Sequence, residues 1–344
     1  MSEPRVYDLF AEQAAAGPDR ALFCVLPGTA AAYDIPAGEI TYGAAFAAVE
    51  TLIEQYRDAG YGAGHRMLLL LENRPAYFLH WLALNALDVS VVPVNPDLRA
   101  SEQAYMIGHC EPAGAVAIAS RAGELRDAAG YPLAVFGPDD TPLPPAQPPN
   151  AVAGEAAMLY TSGTTGNPKG CVLKNDYFLM SGEWYRDAGG LCALLPEGER
   201  MLTPLPVFHM NAMACSFMAM LTVGGCLIAL DRFHPKSWWQ DVRDSRATSL
   251  HYLGVIPSIL MKAPAEPTDR THSVRFGFGA GVDPELHGPF EARFGFPLVE
   301  GWGMTETSAA NALTNNREPR LVGVSCLGAP EPHLDVRVVD DTGV

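Results

Sequence analysis

The chain has 344 residues and a mass of 36.8 kDa, room for about two domains at roughly 150 residues each. Hydrophobic residues make up 48% and charged residues 18%, which excludes a disordered or solvating chain. Lys+Arg is 23 against Asp+Glu at 39, a net charge of −16, so a broad nucleic-acid-binding face is excluded while one cationic pocket for a single nucleotide is not.

The first residues, Met1 to Arg5, show no basic segment leading into an apolar stretch, so no secretory signal is expected. Thr41 is placed to cap an amphipathic helix running to about Asp58, with Phe46, Val49, Leu52, Ile53 and Tyr56 on one face. Met67 to Leu71 is a continuous apolar strand of the buried, parallel-sheet kind. Pro75 to Leu87 reads as a helix, Val89 to Val94 as a strand, Ser101 to His109 as a helix and Gly114 to Ala119 as a strand. This alternation predicts an α/β fold with layered sheets and flanking helices. Pro138 to Pro149 holds six prolines in twelve residues, a stiff connection. We place a subdomain boundary there: residues 1–150 form an N-terminal α/β subdomain, 151–330 a nucleotide- and acyl-binding α/β subdomain, and 331–344 the start of a β subdomain. Glu155 to Tyr160 is a strand that leads into a Gly/Thr-rich loop. Met210 to Leu230 is long and apolar enough for a membrane span, but Gly224-Gly225 divides it, and we read a buried helix, a turn and a buried strand.

Cysteines stand at 24, 110, 171, 192, 215, 226 and 326, an odd number with no C-x-x-C pair. That pattern fits buried thiols in a reducing, cytoplasmic setting and neither a disulfide framework nor a zinc site. Lysine is scarce, occurring at Lys169, Lys174, Lys236 and Lys262.

One lysine stands in the most informative segment. Tyr160 to Gly170 packs four Ser/Thr hydroxyls, three glycines and Lys169 into eleven residues. Glycines let backbone N–H groups converge on an anion, hydroxyls add donors, and Lys169 adds a mobile positive charge. That is the composition of a polyphosphate cradle. The spacing differs from the Walker loop: two residues separate Gly163 from Gly166, and Lys169 follows three later after a proline.

Tyr160 to Gly170 resembles the phosphate-loop signature of the adenylate-forming superfamily, which includes acyl-CoA synthetases, firefly-type luciferases and peptide-synthetase adenylation domains. Gly301-Trp302-Gly303-Met304-Thr305-Glu306 is similar to the family's Tyr-Gly-x-Thr-Glu segment, with Trp302 in the aromatic place. Pro206-Val207-Phe208-His209 is similar to the Pro-x-Phe-His segment of acyl-CoA synthetases, and Val94 to Arg99 is a weaker match. The order of the four segments fits the family along nearly the whole chain, and the overall pattern is similar to carnitine- and crotonobetaine-CoA-ligase-like members.

The resemblance implies that a carboxylate attacks the α-phosphate of ATP, pyrophosphate leaves, and CoA or a carrier-protein thiol then displaces AMP. Thr161, Ser162, Gly163, Thr164, Thr165, Gly166 and Lys169 match the loop on the β- and γ-phosphates. Thr305 matches the α-phosphate contact and Glu306 the Mg²⁺ ligand. Trp302 matches the aromatic packed on adenine. Glu300, Gly301, Gly303 and Met304 flank it in the cofactor site, and Gly279, Ala280 and Gly281 lie on the other side of the base. His209 matches the histidine beside the reacting carboxylate, its alternative being a core histidine. The family commonly has proline where this chain has Gly281.

An acyl pocket is expected from residues 209–216, 252–257, 276–281 and 302–304. Phe208-His209 offers no acid to clamp an α-amino group, so a small or medium organic acid is expected rather than an amino acid. Tyr252, Phe276, Phe278 and Trp302 form either an aromatic cage or core. The family carries a hinge and a late lysine in a mobile C-terminal domain, and no lysine follows Glu306 here. The chain is therefore expected to be the N-terminal domain alone, lacking the C-terminal lid domain, to bind ATP weakly and to adenylate slowly or not at all. A non-catalytic nucleotide-binding remnant is the alternative. No membrane partner is expected, and the sequence leaves the oligomeric state open.

Overall fold

The computed structural model describes residues 3–161, 167–330 and 334–343. Strands β1 (Ala21–Val25), β2 (Gly38–Thr41), β3 (Arg66–Leu70), β4 (Ser90–Pro93), β5 (Gly114–Ala117), β6 (Val135–Phe136), β7 (Glu155–Thr161) and β8 (Lys169–Lys174) come first. They are followed by β9 (Arg200–Thr203), β10 (Cys226–Ala229), β11 (Ser249–Leu253), β12 (Phe276–Ala280), β13 (Leu298–Trp302) and β14 (Leu313–Thr314). They build two sheets, an eight-stranded one ordered β14-β13-β12-β11-β9-β10-β1-β2 and a six-stranded one ordered β6-β5-β3-β4-β7-β8. Most neighbours are parallel, with antiparallel pairs at the β1–β2, β7–β8 and β13–β14 edges.

Strand alternation builds the layers. In β3, Met67 and Leu69 join the central core while Leu68 and Leu70 join the outer core under the 100–110 and 122–128 helices. All five β3 residues are buried, which is why the sequence shows an unbroken apolar run there. The central core also takes Phe78, Trp81, Phe178, Phe217 and Leu221 from helices, together with Phe23, Met201 and Val299 of the larger sheet. A third cluster, including Trp238, Ile256 and Phe290, covers the other face of that larger sheet.

The helix expected after Thr41 spans Tyr42–Ala59, and the Thr41 side chain accepts a hydrogen bond from the Ala44 amide. The Pro75–Ala86 and Ala100–Cys110 helices lie within a residue or two of their expected bounds. In the 210–230 region a π-helical turn, Asn211–Phe217, runs into an α-helix, Met218–Val223. Gly224 at φ 63° closes that helix and β10 follows. Among the described residues, no helix is long and apolar enough to cross a membrane. The proline-rich connection joins β6 to β7 within one sheet, and β1 and β2 lie in the other, so each sheet draws strands from both sides of residue 150.

Candidate functional site

Parallel strands present their C-terminal ends on one side of a sheet, where open α/β folds place ligands. Here β11, β12 and β13 end at Leu253, Ala280 and Trp302. The other sheet contributes the end of β7, where Thr161 pairs in register with Lys169 of β8. Ser162, Gly163, Thr164, Thr165 and Gly166 lie outside the described residues, between those two strands.

A hydrogen bond joins the end of β7 to the turn that follows β13. Thr161 Oγ1 donates to Glu306 Oε1 at 3.2 Å, joining residues 145 positions apart. Glu306 sits with half-buried Thr305 in a turn closed by the Thr307 amide on the Met304 carbonyl at 3.2 Å. Glu306 and Lys169 are exposed. Among the described residues, no group of three or more His, Cys, Asp or Glu side chains is placed to hold a metal. A carboxylate standing alone suits a hard cation that takes its remaining ligands from phosphate and water.

Beside this junction is a cavity of about 160 Å³. Gly279 and Ala280 line it from β12, and Gly301, Trp302 and Gly303 from the end of β13. Met210, Asn211 and Cys215 line it from the π-helical turn, where i→i+5 bonding brings residues 211 and 215 nearly into line. Trp184, Leu253, Phe278 and Ala312 complete the wall. Trp302 is 43% exposed and Met304 39% exposed. Of the four aromatics, Phe278 and Trp302 line the cavity, whereas Tyr252 and Phe276 are buried in the core.

The glycines divide by purpose. A Cβ on Gly279 would lie 2.2 Å from the Tyr252 carbonyl oxygen, and one on Gly301 2.8 Å from the Phe278 ring, so both are glycine for close packing. Gly281 has open space around it but a φ of 76°, which proline cannot adopt.

Glu300 is placed by the structure beneath the site. It is 1% exposed, and its Oε1 accepts from the Gly281 and Val282 amides at 3.1 and 3.0 Å. Its carboxylate thus pins the Gly281 bend, while His287 Nδ1 lies 3.7 Å from its Oε2. His209 is exposed as a residue, and desolvation by the surrounding chain holds its imidazole below the ordinary histidine range, toward the neutral form.

Behind the cavity, His251 of β11 is fully buried. Its Nε2 pairs with the Tyr185 hydroxyl at 2.9 Å and its Nδ1 with Ser216 Oγ at 2.6 Å. Burial pushes its pKa down to about 3, so the ring is neutral. This chain of bonds ties the Asn175–Asp187 helix, β11 and the π-helical turn into one wall. Sequence reasoning did not single out Trp184, Ala312 or His251. The asparagine after the loop, Asn175, accepts from the Val6 amide and from Asn85 Nδ2, a purely structural role.

Comparison with known proteins agrees with this geometry. Residues 10–344 match the AMP-binding enzyme family. The chain is 31% identical to the sulfoacetate–CoA ligase of Cupriavidus necator over 96% of its own length and 66% of that protein's. It is 29% identical to the crotonobetaine/carnitine–CoA ligase of Citrobacter koseri, over 72% of this chain and 52% of that protein. Its fold is similar to that of O-succinylbenzoate coenzyme A synthetase from Bacillus subtilis in complex with AMP. That likeness has a TM-score of 0.78 and 19% identity, covering 99% of this chain and 85% of that one. The chain thus spans about half to two thirds of the length of the curated relatives it matches.

Proposed function

The chain belongs to the AMP-binding enzyme family, and from that premise we propose that it is the nucleotide- and acyl-binding part of an AMP-forming acid–thiol ligase. Its reaction would activate a small or medium carboxylic acid as the acyl-adenylate. The acid's carboxylate oxygen bonds to the α-phosphorus of ATP, the bond to the bridging oxygen breaks, and pyrophosphate leaves. CoA thiol then displaces AMP in the intact protein, a step assigned to the longer molecule because these residues span only part of its relatives. The single observation that carries the proposal is the Thr161–Glu306 hydrogen bond, which brings the phosphate-loop strand and the Thr-Glu turn from opposite sheets to one point.

The residues divide the work. Thr161, the 162–166 loop and Lys169 hold the β- and γ-phosphates, and Thr305 takes the α-phosphate. Glu306 holds Mg²⁺, which neutralises charge on the phosphate oxygens when bound. Trp302 and the Gly279–Ala280 edge enclose the adenine. A neutral His209 accepts or donates a hydrogen bond near the reacting carboxylate without binding it as a cation. Catalysis of this kind is positioning plus electrostatics. The seven cysteines are all free, as a reducing cytoplasm would leave them.

Titration calorimetry tests the reading. ATP with Mg²⁺ is expected to give a saturable heat that ATP with EDTA does not. No heat under either condition would sink it. On the intact protein, offering CoA and a phosphopantetheinylated carrier protein side by side identifies the acceptor, with CoA expected.

A further inference from the structure

The stretch that carries His209 is a largely buried loop. It follows β9 as Pro204-Leu205-Pro206-Val207-Phe208-His209, with Pro204, Leu205 and Val207 buried. Buried backbone groups need partners, and a loop has no neighbouring strand to supply them. The two prolines hold φ and remove two of the donors. Some bonds are local. The Leu205 amide donates to Thr203 Oγ1 at 3.2 Å, the His209 amide to the Pro206 carbonyl at 3.1 Å and the Met213 amide to the His209 carbonyl at 3.1 Å.

The bonds that cross the molecule go to one side chain. Asn73 Oδ1 accepts from the Val207 amide at 2.9 Å, and Asn73 Nδ2 donates to the Leu205 carbonyl at 3.0 Å and the Leu230 carbonyl at 2.7 Å. Two carbonyls on one side and an N–H on the other fix which end of the carboxamide is nitrogen. Asn73 is 3% exposed and follows β3, whereas Leu205 and Leu230 follow β9 and β10 of the other sheet. Among the described residues, Asn73 and the adjoining Thr203 are the side chains hydrogen-bonded to residues 204–208.

The turn that presents Asn73 is strained. Glu72 has a φ of 52°, in the left-handed region that side chains rarely adopt. Arg74 braces it, donating from Nη1 to the Leu71 carbonyl at 3.2 Å and to Glu72 Oε2 at 2.6 Å. The Arg74 guanidinium also lies 4.0 Å from the centre of the Tyr33 ring, whose hydroxyl accepts from the Asn73 amide at 3.2 Å. Strain held in this way by its surroundings clusters at functional sites. The clamped loop leads there. Because β9 runs parallel to β11, the loop leaves its sheet on the side where β11 ends, and beyond His209 it continues into Met210 and Asn211 of the cavity wall. We propose that Asn73 is a positioning residue for the reaction: its carboxamide fixes the 205–207 backbone and so sets His209 beside the reacting carboxylate. The inference rests on the adenylate-forming reading and adds to it a residue from outside the motifs.

Two readouts on the 344-residue chain test this, one of them independent of any ligand. The first is the His209 titration, followed by NMR of labelled histidine rings and assigned with His209→Gln. Desolvation holds that imidazole below its ordinary value, so in Asn73→Ala a loosened loop should let it rise toward about 6.5. The second is affinity for AMP and for butyryl sulfamoyl adenosine, which carries an acyl group on the nucleotide without requiring turnover. Asn73→Ala should weaken the acyl compound about tenfold, as misplacing a reacting group does, and AMP by no more than about twofold. In a His209→Gln background the same substitution should cost the acyl compound less than about twofold, because the contribution it transmits is already gone. Asn73→Ser, which keeps a neutral hydroxyl too short to span both partners, serves if Asn73→Ala does not fold and should show smaller changes of the same sign. Glu155→Gln controls for lost stability alone, and its His209 titration and acyl-to-AMP affinity ratio should match wild type. An unchanged His209 titration or affinity ratio in the folded Asn73 variants overturns the inference while AMP binding upholds the adenylate-forming reading. Equal changes in Glu155→Gln, or full additivity with His209→Gln, overturn it as well. If the wild-type chain binds neither AMP nor the acyl compound, the adenylate-forming reading fails whatever His209 does, and the role given to Asn73 fails with it.

Discussion

The two ends of β7 hold carboxylates in opposite situations. At its start Glu155 is buried, and every direction around it is taken. Arg66 donates to its two oxygens at 2.7 and 2.8 Å, Ser90 Oγ at 2.8 Å and the Val152 amide at 3.2 Å. About 20 Å away along the strand, at about 3.3 Å per residue, Thr161 hands a single hydrogen bond to exposed Glu306. The first carboxylate ties β3 and β4 to β7 and has no capacity left. The second accepts that one hydrogen bond from Thr161 and is otherwise exposed to solvent. Equal chemistry in the side chain thus serves the fold at one end and a ligand at the other, and saturation by protein partners tells them apart.

The largest effect should follow from disturbing the saturated end. Glu155→Gln leaves the Arg66 guanidinium buried without its charge, at a cost of about 3–5 kcal/mol. Urea unfolding should show that loss, while the Mg·ATP affinity of the folded fraction stays within about twofold. At the open end the pattern should invert. Glu306→Gln is expected to leave stability within about 0.5 kcal/mol, as exposed substitutions do. It should weaken Mg²⁺-dependent ATP binding by roughly 10- to 100-fold, the range seen when support for a metal is removed. If Glu306→Gln instead lowered the urea midpoint and left ATP binding intact, the two ends would not differ in purpose.

Much of the scaffold could be read from local pattern. The Thr41 cap, the apolar run of β3 and the Gly224 stop each act within a few residues, so sequence spacing carries them. Gly279, Ala280, Gly301, Trp302 and Gly303, which come from two of the motif segments, line one cavity. What the sequence hid are long-range relations. Nothing local joins Thr161 to Glu306. Glu300 adjoins the motif and reads as part of the cofactor site, and one oxygen of its buried carboxylate accepts from the Gly281 and Val282 amides. Gly279 and Gly301 enter the cofactor site through the resemblance, whereas the neighbours that demand glycine there, Tyr252 and Phe278, are visible only once the sheet is assembled. Trp184 reaches the site from a helix whose other residues give no sign of it.

Glu300 lies between the two extremes, since it is buried like Glu155 yet supports the site. Its grip on the Gly281 bend should show in Gly281→Ala. With φ at 76° and open space around a Cβ, the penalty is conformational strain alone, about 1–2 kcal/mol. Differential scanning calorimetry should record that loss, and nucleotide affinity should fall with it because Ala280 is the next residue. A stability loss with unchanged AMP binding would show that the bend serves only the fold.

The smallest effect concerns the satisfied wall behind the cavity and appears only in mild acid. His251 is neutral in the folded protein, with its pKa pushed down to about 3, while an unfolded histidine titrates near 6.5. The unfolded chain therefore takes up a proton that the native state refuses. The stabilisation is complete above about pH 6.5 and is lost as pH falls, by about 1.4 kcal/mol for each unit below that value, until the native ring also protonates near pH 3. His80 has its pKa lowered to about 4 and is bonded to the Tyr56 hydroxyl and the Pro138 carbonyl, so it adds a second contribution of the same sign. Comparing urea midpoints at pH 7.5 and 5.5, His251→Gln should remove roughly half of the acid loss that these two histidines produce, and His80→Gln the other half. Glu306→Gln should remove none of it, because the acid sensitivity belongs to groups whose bonds are already made within the protein. A full wild-type slope in His251→Gln would mean that the wall behind the cavity is not held by a neutral histidine.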